Sequence, residues 1–419
     1  MRWKLAVLNT FRNRRRTALN LVMIGGGVMS ILLFEGFARN VLDSLKETTI
    51  QTQSGHLQVA SDRYWSKQFQ SPREKLLQGY PEKLQEIRAL PEVSYASGRL
   101  EFFGLLSRGD LSLSARGVSF DPKVESKRNA AFDYLSGRAL RAQPAKGQAS
   151  SDDDWETDRF QGSFEVVVGK GLAQRLQIKD GANLTILSNT YDGIINAIDV
   201  EVVGIFQTGI AEFDDVTFLM PLGAAQTLLD TQEVEQIVIG LHDTDQTETV
   251  HAALKSRWAG VETKSWIETA TLYRQIASFN KVQNRVIALI ILILTILSIL
   301  NTVGMSIMER TGEIGTTRAL GETRWSVCYQ FILEGLVLGG LGAFLGAVLG
   351  VSVATWINYL GVELVMPGAS TTLKVHIDLV PPAFVVSLVI SLVAATGATL
   401  LPAIRASRLN IATALRQNI

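Results

Sequence analysis

Catalysis needs polar groups at defined spacing, and this chain offers few. Its four histidines, His56, His242, His251 and His376, lie far apart, with no H-E-x-x-H or other paired zinc spacing. Gly169-Lys170-Gly171 is the nearest approach to a phosphate loop. The upstream glycine and the following Ser/Thr are missing, so backbone amides cannot cradle ATP by that route. No G-x-S-x-G elbow occurs. Asp152–Asp154 are consecutive, whereas a Ca²⁺ loop takes ligands from alternate positions; they read as part of a mobile, solvated acidic loop over 141–163. The single cysteine, Cys328, cannot form an internal disulfide and reads as a small apolar filler. No catalytic residue, metal site or cofactor of the chain's own is therefore expected.

One short segment is chemically dense. From Met308 to Gly321 charges alternate with small residues. Glu309 and Glu313 fall at i,i+4, on one face if the segment is helical. Ile314 supplies an apolar anchor and Arg318 a long cationic arm, while the glycines allow close backbone approach. The segment reads as a short interfacial helix with an ordered surface for a partner.

The elements that must hold this segment are apolar. Hydrophobic residues make up 47% of the 419 and charged ones 19%, below the roughly 25% of soluble domains, and mean hydropathy is positive. Crossing about 30 Å of hydrocarbon takes about 20 mostly apolar residues. Four stretches qualify: 17–38, the end of a long helical run at 266–308, 327–359 and 379–401. Their only charges lie near the ends: Glu35 in the first, Glu334 in the third, both read as reaching an interface or pairing locally. Gly339, Gly342, Gly346 and Gly350 recur at helical spacing in the third and read as helix-packing positions. The first stretch is longer than a signal-peptide core and lacks a clear cleavage site.

Basic residues set the orientation. Residues 1–16 carry Arg2, Lys4, Arg12, Arg14, Arg15 and Arg16; the 309–326 loop carries Arg310, Arg318 and Arg324; the 402–419 tail carries Arg405, Arg408 and Arg416; the 360–378 loop has only Lys374. Both termini and the 309–326 loop are thus expected in the cytoplasm. Residues 1–16 also alternate apolar and basic side chains, as an amphipathic helix on the membrane surface does. The remainder, 39–265, is expected outside as a large α/β domain inserted between helices 1 and 2. From Arg39 to Arg285 the chain holds 27 basic and 33 acidic residues, and the whole chain is neutral, so no field suited to nucleic acid is present.

Within that domain, alternation and turn signals predict strands at 55–60, 100–120 (a hairpin turning at Arg108-Gly109-Asp110), 164–168, 183–187, 195–206, 216–220 and 236–241. Helices are predicted at 72–89, interrupted by Pro81, and at 170–177, 222–229 and 247–258. From Trp266 to Asn301 there is no proline or glycine, which predicts an unbroken stalk running into the second span.

The run Glu309-Arg310-x-x-Glu313-Ile314-Gly315-x-x-Arg318-Ala319-x-Gly321 between two spans resembles the FtsX-like permease family, of the MacB and LolC/LolE type. So do Phe331-Ile332-Leu333-Glu334-Gly335 opening the third span and the ending Pro402-Ala403-Ile404-Arg405-Ala406…Ala414-Leu415-Arg416. Ser54-Gly55-His56-Leu57-Gln58-Val59, Val168–Ala173 and Gly204–Gly209 look like the lipoprotein-releasing branch, though Asp180-Gly181 is inverted relative to the family's Gly-Asp. The resemblance implies a non-catalytic permease subunit of a type VII ABC transporter in the bacterial inner membrane. It implies a cytoplasmic ATPase dimer that binds ATP and docks on Glu309–Gly321, a second permease subunit of the same or a related kind, and a periplasmic adaptor or carrier. Lipoprotein or lipophile release is the implied function. Peptide or antibiotic efflux, or gating of an envelope hydrolase without transport, are the alternatives.

Overall fold

The computed structural model describes residues 2–12, 14–66, 71–125, 132–141, 164–255, 257–365 and 372–408. The expected acidic loop beyond Arg141, with Asp152–Asp154, and the tail beyond Arg408, with Ala414–Arg416, lie outside the described residues. The chain divides into two units: Met1–Asp43 with Gln275–Glu363 and Lys374–Ile419, and Ser44–Arg274 with Leu364–Leu373.

The first unit is helical. α1 spans Arg2–Arg12, α2 Arg14–Thr49, α3 Thr271–Glu309, α4 Thr311–Ala319, α5 Arg324–Leu360 and α6 Pro381–Ser407. Among the described residues four helices, α2, α3, α5 and α6, are long and apolar enough to cross a membrane. They outrun the apolar stretches because hydropathy marks only what lipid covers, and helical backbone continues through polar residues until a breaker or cap intervenes. α2 continues past Phe37 to Thr49 and into a π turn at Ile50–Ser54. α5 starts at Arg324, where the Thr323 hydroxyl accepts the Ser326 N–H at 3.3 Å, and stops at Gly361 in the left-handed region. α6 opens on Pro381, suited to a first turn, and runs through Pro402.

The stalk differs from expectation. Trp266–Thr269 is a separate short turn of helix opened by a capping box, in which the Ser265 N–H donates to Glu268 Oε2 at 3.0 Å. Ala270 then leaves helical geometry at ψ 75°. The continuous helix is α3, 39 residues and about 58 Å long.

Missing side chains let the helices of this unit touch. A Cβ on Gly346 would stand 2.5 Å from the Gly25 carbonyl oxygen and 2.7 Å from Val28 Cβ, both on α2. One on Gly342 would meet Ile24 at 2.6 Å, and one on Gly350 Leu32 at 3.2 Å. Gly339 faces the other neighbour, Ala395 of α6, at 2.8 Å. The glycine row thus serves two helix contacts, not one. Polar bonds add to it: Asn20 Oδ1 accepts from Ser298 Oγ at 3.1 Å and Thr302 Oγ1 at 3.0 Å, joining α2 to α3, and Asn284 donates to Glu35.

The second unit is built on two large sheets, and a short pair, Glu363–Val365 with Thr372–Lys374, forms a third. Its strands are β1 Leu57–Ser61, β2 Val93–Arg99, β3 Glu101–Arg108, β4 Leu111–Phe120, β5 Asp133–Gly137, β6 Phe164–Gly169, β7 Asn183–Asn189, β8 Ile195–Gln207, β9 Thr217–Pro221, β10 Gln236–Leu241 and β11 Val261–Ser265. The smaller sheet runs β11-β1-β10-β2. The larger runs β5-β8-β6-β9-β4-β3-β7, and a further β7–β8 pairing closes it on itself. Closure removes edges and encloses a core that includes Leu106, Val166, Val168, Leu172, Ile186, Val200, Phe218 and Met220. The β3–β4 hairpin turns at Gly109, φ +57°, as the Arg-Gly-Asp signal predicts. Pro81 does not interrupt a helix; it sits in the first turn of Tyr80–Arg88, after the left-handed Gly79. The expected helix at 247–258 ends at Leu254.

Candidate functional site

α4 is positioned from both sides. Arg310, at φ −105° and ψ 15°, leaves helical geometry after α3 and turns the chain. Glu313 lies in the first turn of α4 and Arg318 in its last, each at the end where the helix dipole favours its charge. Gly312, Ile314 and Gly315 face inward; Ile314 seats in an apolar cluster with Ile307, Val327, Phe331 and Ala406, which Cys328 also joins. Ile314 and Cys328 are both buried here.

The charged residues of this segment meet partners far away in sequence. Arg16 Nη2 lies 2.6 Å from Glu309 Oε1, and Arg12 Nη1 2.8 Å from Glu313 Oε1. Arg310 reaches Glu313 at 3.3 Å and Glu334 at 3.1 Å, while Asn9 Nδ2 donates to Glu334 Oε1 at 2.8 Å. The Arg310 guanidinium also stands 6.0 Å from the Phe331 ring centre. α1 is thereby tied to α4 and α5, and α2 to the end of α3, and α1 rests its buried Ala6 on Leu333 and Val337. Hydrogen bonding from Arg12 holds the Glu313 carboxyl below the usual range, with Arg310 adding to it against partial desolvation. Glu334 neither reaches solvent nor stands alone: it is a nearly buried acid paired to Arg310.

Of the eight residues singled out in sequence, Glu309, Arg310 and Glu313 are engaged with the chain's own side chains, and Ile314 and Gly315 are buried. Arg318 is half-buried; Ala319 and Gly321 are exposed. Between α4 and the first turn of α5 two large apolar side chains are bared: Leu320 is 83% and Trp325 84% exposed. Sequence reading passed over both. Two large apolar residues flanking a loop of Gly, Glu and Thr were the available signal.

Two of the four histidines make structural contacts. His56 accepts the Leu241 N–H and meets Thr244, and burial lowers its pKa; His251 bonds the Thr263 carbonyl at 2.8 Å. Among the described residues no three His, Cys, Asp or Glu are grouped as a metal site.

Comparison with known proteins agrees with this architecture. Residues 17–257 match the family model of the MacB-like periplasmic core domain, and residues 285–411 that of the FtsX-like permease C-terminal region. The lipoprotein-releasing system transmembrane protein LolC of Neisseria meningitidis is 27% identical over 278 residues, covering 62% of this chain and 66% of that protein. The macrolide export ATP-binding/permease protein MacB of Nitrobacter winogradskyi is 25% identical, covering 82% of this chain and 51% of that protein. The LolE protein of Haemophilus influenzae is 26% identical over 71% of this chain and 76% of its own length. This chain therefore spans about half to two thirds of the first of these relatives. The crystal structure of the periplasmic region of MacB from Actinobacillus actinomycetemcomitans superposes at TM-score 0.35 and 12% identity, covering 54% of this chain and 94% of that one, too loosely to bear on function. With more than half of its length matched by the periplasmic core model, the chain belongs to the MacB-like periplasmic core domain family, and the FtsX-like permease C-terminal model matches the region of its other three candidate spans.

Proposed function

We propose that this chain is the permease subunit of an ABC transporter of the MacB/LolCE type in the bacterial inner membrane, driven by a separate cytoplasmic ATPase dimer. Both termini and α4 face the cytoplasm, following the basic segments. The unit Ser44–Arg274 stands outside as an α/β domain inserted between the first and second spans. The observation that carries the reading is α4 itself. It is a short helix seated by Ile314 between two candidate spans, with Leu320 and Trp325 bared beside it. ATP-driven closure of the ATPases moves α4, and α3, one uninterrupted helix, relays the motion outward.

The substrate in this reading is handled on the outer side, in keeping with four strongly apolar candidate spans. The LolC and LolE relatives favour a lipoprotein or another lipophilic substrate passed to a periplasmic carrier. The MacB relative, aligned over 355 residues, favours efflux of a peptide or antibiotic through an adaptor. A second permease subunit, identical or paralogous, completes the assembly.

The test is capture of the ATPase by tagged permease. Wild type retains it; Leu320→Asp with Trp325→Asp loses it. Undiminished capture by that pair, and by a variant with Glu309, Glu313 and Arg318 all changed to Ala, would remove α4 from the coupling role. ATP-dependent release of a triacylated lipoprotein from proteoliposomes, set against macrolide efflux, separates the two substrate classes.

A further inference from the structure

Between Arg285 and Glu309, α3 runs through residues without a charge, and one polar side chain among them is exposed, Asn301. It stands about 12 Å along the helix from Glu309, inside the stretch that hydrocarbon would cover. No group among the described residues bonds its amide. Exposed hydroxyls of the other spans are satisfied within their own helices: Ser30, Ser352 and Thr355 each donate at 2.8 Å to a carbonyl one turn back. Asn301 also lies on an ordered face. Ile290, Leu294, Leu297, Asn301, Gly304 and Met308 follow one another at alternating spacings of four and three, the repeat of a coiled-coil seam. Ile290 is 52%, Leu297 57% and Met308 79% exposed, and a Cβ on Gly304 would meet nothing within 4 Å. The seam is therefore open over its length.

We propose that this seam is the contact between two copies of the chain, α3 against α3 about a two-fold axis along the membrane normal, with the two Asn301 amides bonded to each other. Lipid tails cover leucine and methionine at no cost, but they cannot bond an amide. An amide carries both a donor and an acceptor, so an identical side chain complements it, donor to acceptor. Two copies inserted in the same orientation hold Asn301 at the same depth, and a two-fold axis brings the same patch of each face to face. Gly304, one turn on, lets the two backbones approach. A single asparagine in an apolar seam also fixes register and copy number, because any slipped pairing strands its amide. The inference rests on the reading of α3 as a membrane span, and it gives the second permease subunit of that reading an identity and an interface.

The experiment co-expresses the full chain in two differently tagged copies, both Cys328→Ser, and oxidises intact membranes. Asn301→Cys should cross-link one tag to the other, since the two-fold seam brings the paired positions within disulfide reach. Leu297→Cys and Gly304→Cys, on the same seam, should follow in lower yield. Val393→Cys, 59% exposed on α6 and off the seam, should not. In detergent, self-association is read by energy transfer between the tagged copies on dilution. Asn301→Leu should weaken the dissociation constant about tenfold, the size of a polar bond between helices in an apolar medium. Asn301→Gln, which keeps the amide, should recover most of that loss. Cross-linking of Asn301→Cys to a different chain alone would overturn the second copy as the occupant. No cross-link at Asn301→Cys, an equal yield at Val393→Cys, or unchanged association of Asn301→Leu would overturn the seam. Each of these results can occur with ATPase capture intact, whereas the permease reading fails on its own if the wild type captures no ATPase.

Discussion

The helical unit and the α/β unit both contain networks of arginines and glutamates, but they bury them differently. Around α4 the outer pairs are open, with Arg12 and Glu313 each more than half exposed and Glu309 half exposed, and only Arg310 with Glu334 is nearly buried. In the α/β unit Arg99 and Glu125 are fully buried, 3.0 Å apart, where β2 passes into β3, and Arg99 also bonds the Gln53 carbonyl. Beside them Gln236 donates to Glu101 at 3.1 Å, and the Glu101 N–H to Glu235 at 3.2 Å. Exposed pairs contribute little and exchange partners readily; breaking a buried pair strands a charge in a poor solvent. The comparison assigns mobility to the α4 network and rigidity to the junction of the two sheets, as a part that is gripped and a part that is carried would need.

The comparison breaks first, if it breaks, at Arg99. Arg99→Met should destabilise the protein by about 3–5 kcal/mol, seen as a large fall in the melting temperature of the full chain. A loss below 1 kcal/mol would mean that the junction is not held by this pair.

Next in size is a pH effect. Burial, reinforced by the Glu101 carboxylate and opposed by the Glu101 N–H, pushes Glu235 up to about 7. Unfolded, the same carboxyl titrates near 4.3. Between these values the native state holds the extra proton, so stability falls as pH rises, by about 4 kcal/mol in all. Glu235→Gln should flatten that decline, with variant and wild type alike near pH 4 and the variant more stable above pH 7. Parallel pH–stability curves would contradict it.

Gly346→Ala tests helix packing. The added methyl meets the Gly25 carbonyl oxygen at 2.5 Å, a clash of backbone on backbone worth about 1–3 kcal/mol. Gly340→Ala, with nothing within 4 Å, is the matched control and should melt as wild type does. The smallest effect belongs to Glu309→Ala with Glu313→Ala, under about 1 kcal/mol in stability and smaller still in high salt.

How much of this was legible in the sequence follows from range. The four apolar helices were readable because bilayer thickness dictates their length, and β3, β4, β8 and β10 because alternation and a turn are local signals. The strands β2, β5 and β11 were missed: Val93–Arg99 and Asp133–Gly137 mix small and polar residues, and Val261–Ser265 alternates too briefly to stand out. The break at Ala270 was missed because no proline or glycine marks it. The candidate site was legible as a segment and not as a network. Arg12 and Arg16 read as orientation signals, and nothing local shows that they meet residues some 300 positions away. Closure of the larger sheet through β7–β8 is invisible for the same reason.

The central claim is that α4 faces the cell interior, where a nucleotide-driven partner grips it. Its most direct test is labelling with a membrane-impermeant maleimide in a Cys328→Ser background, which removes the chain's own thiol. Cysteine is placed at Leu320 beside α4, or at the 66% exposed Ile194 in the α/β unit. Cells with a permeabilised outer membrane should label Ile194→Cys and leave Leu320→Cys unreacted until the inner membrane is opened. Labelling of Leu320→Cys in sealed cells would contradict the orientation and the coupling mechanism with it.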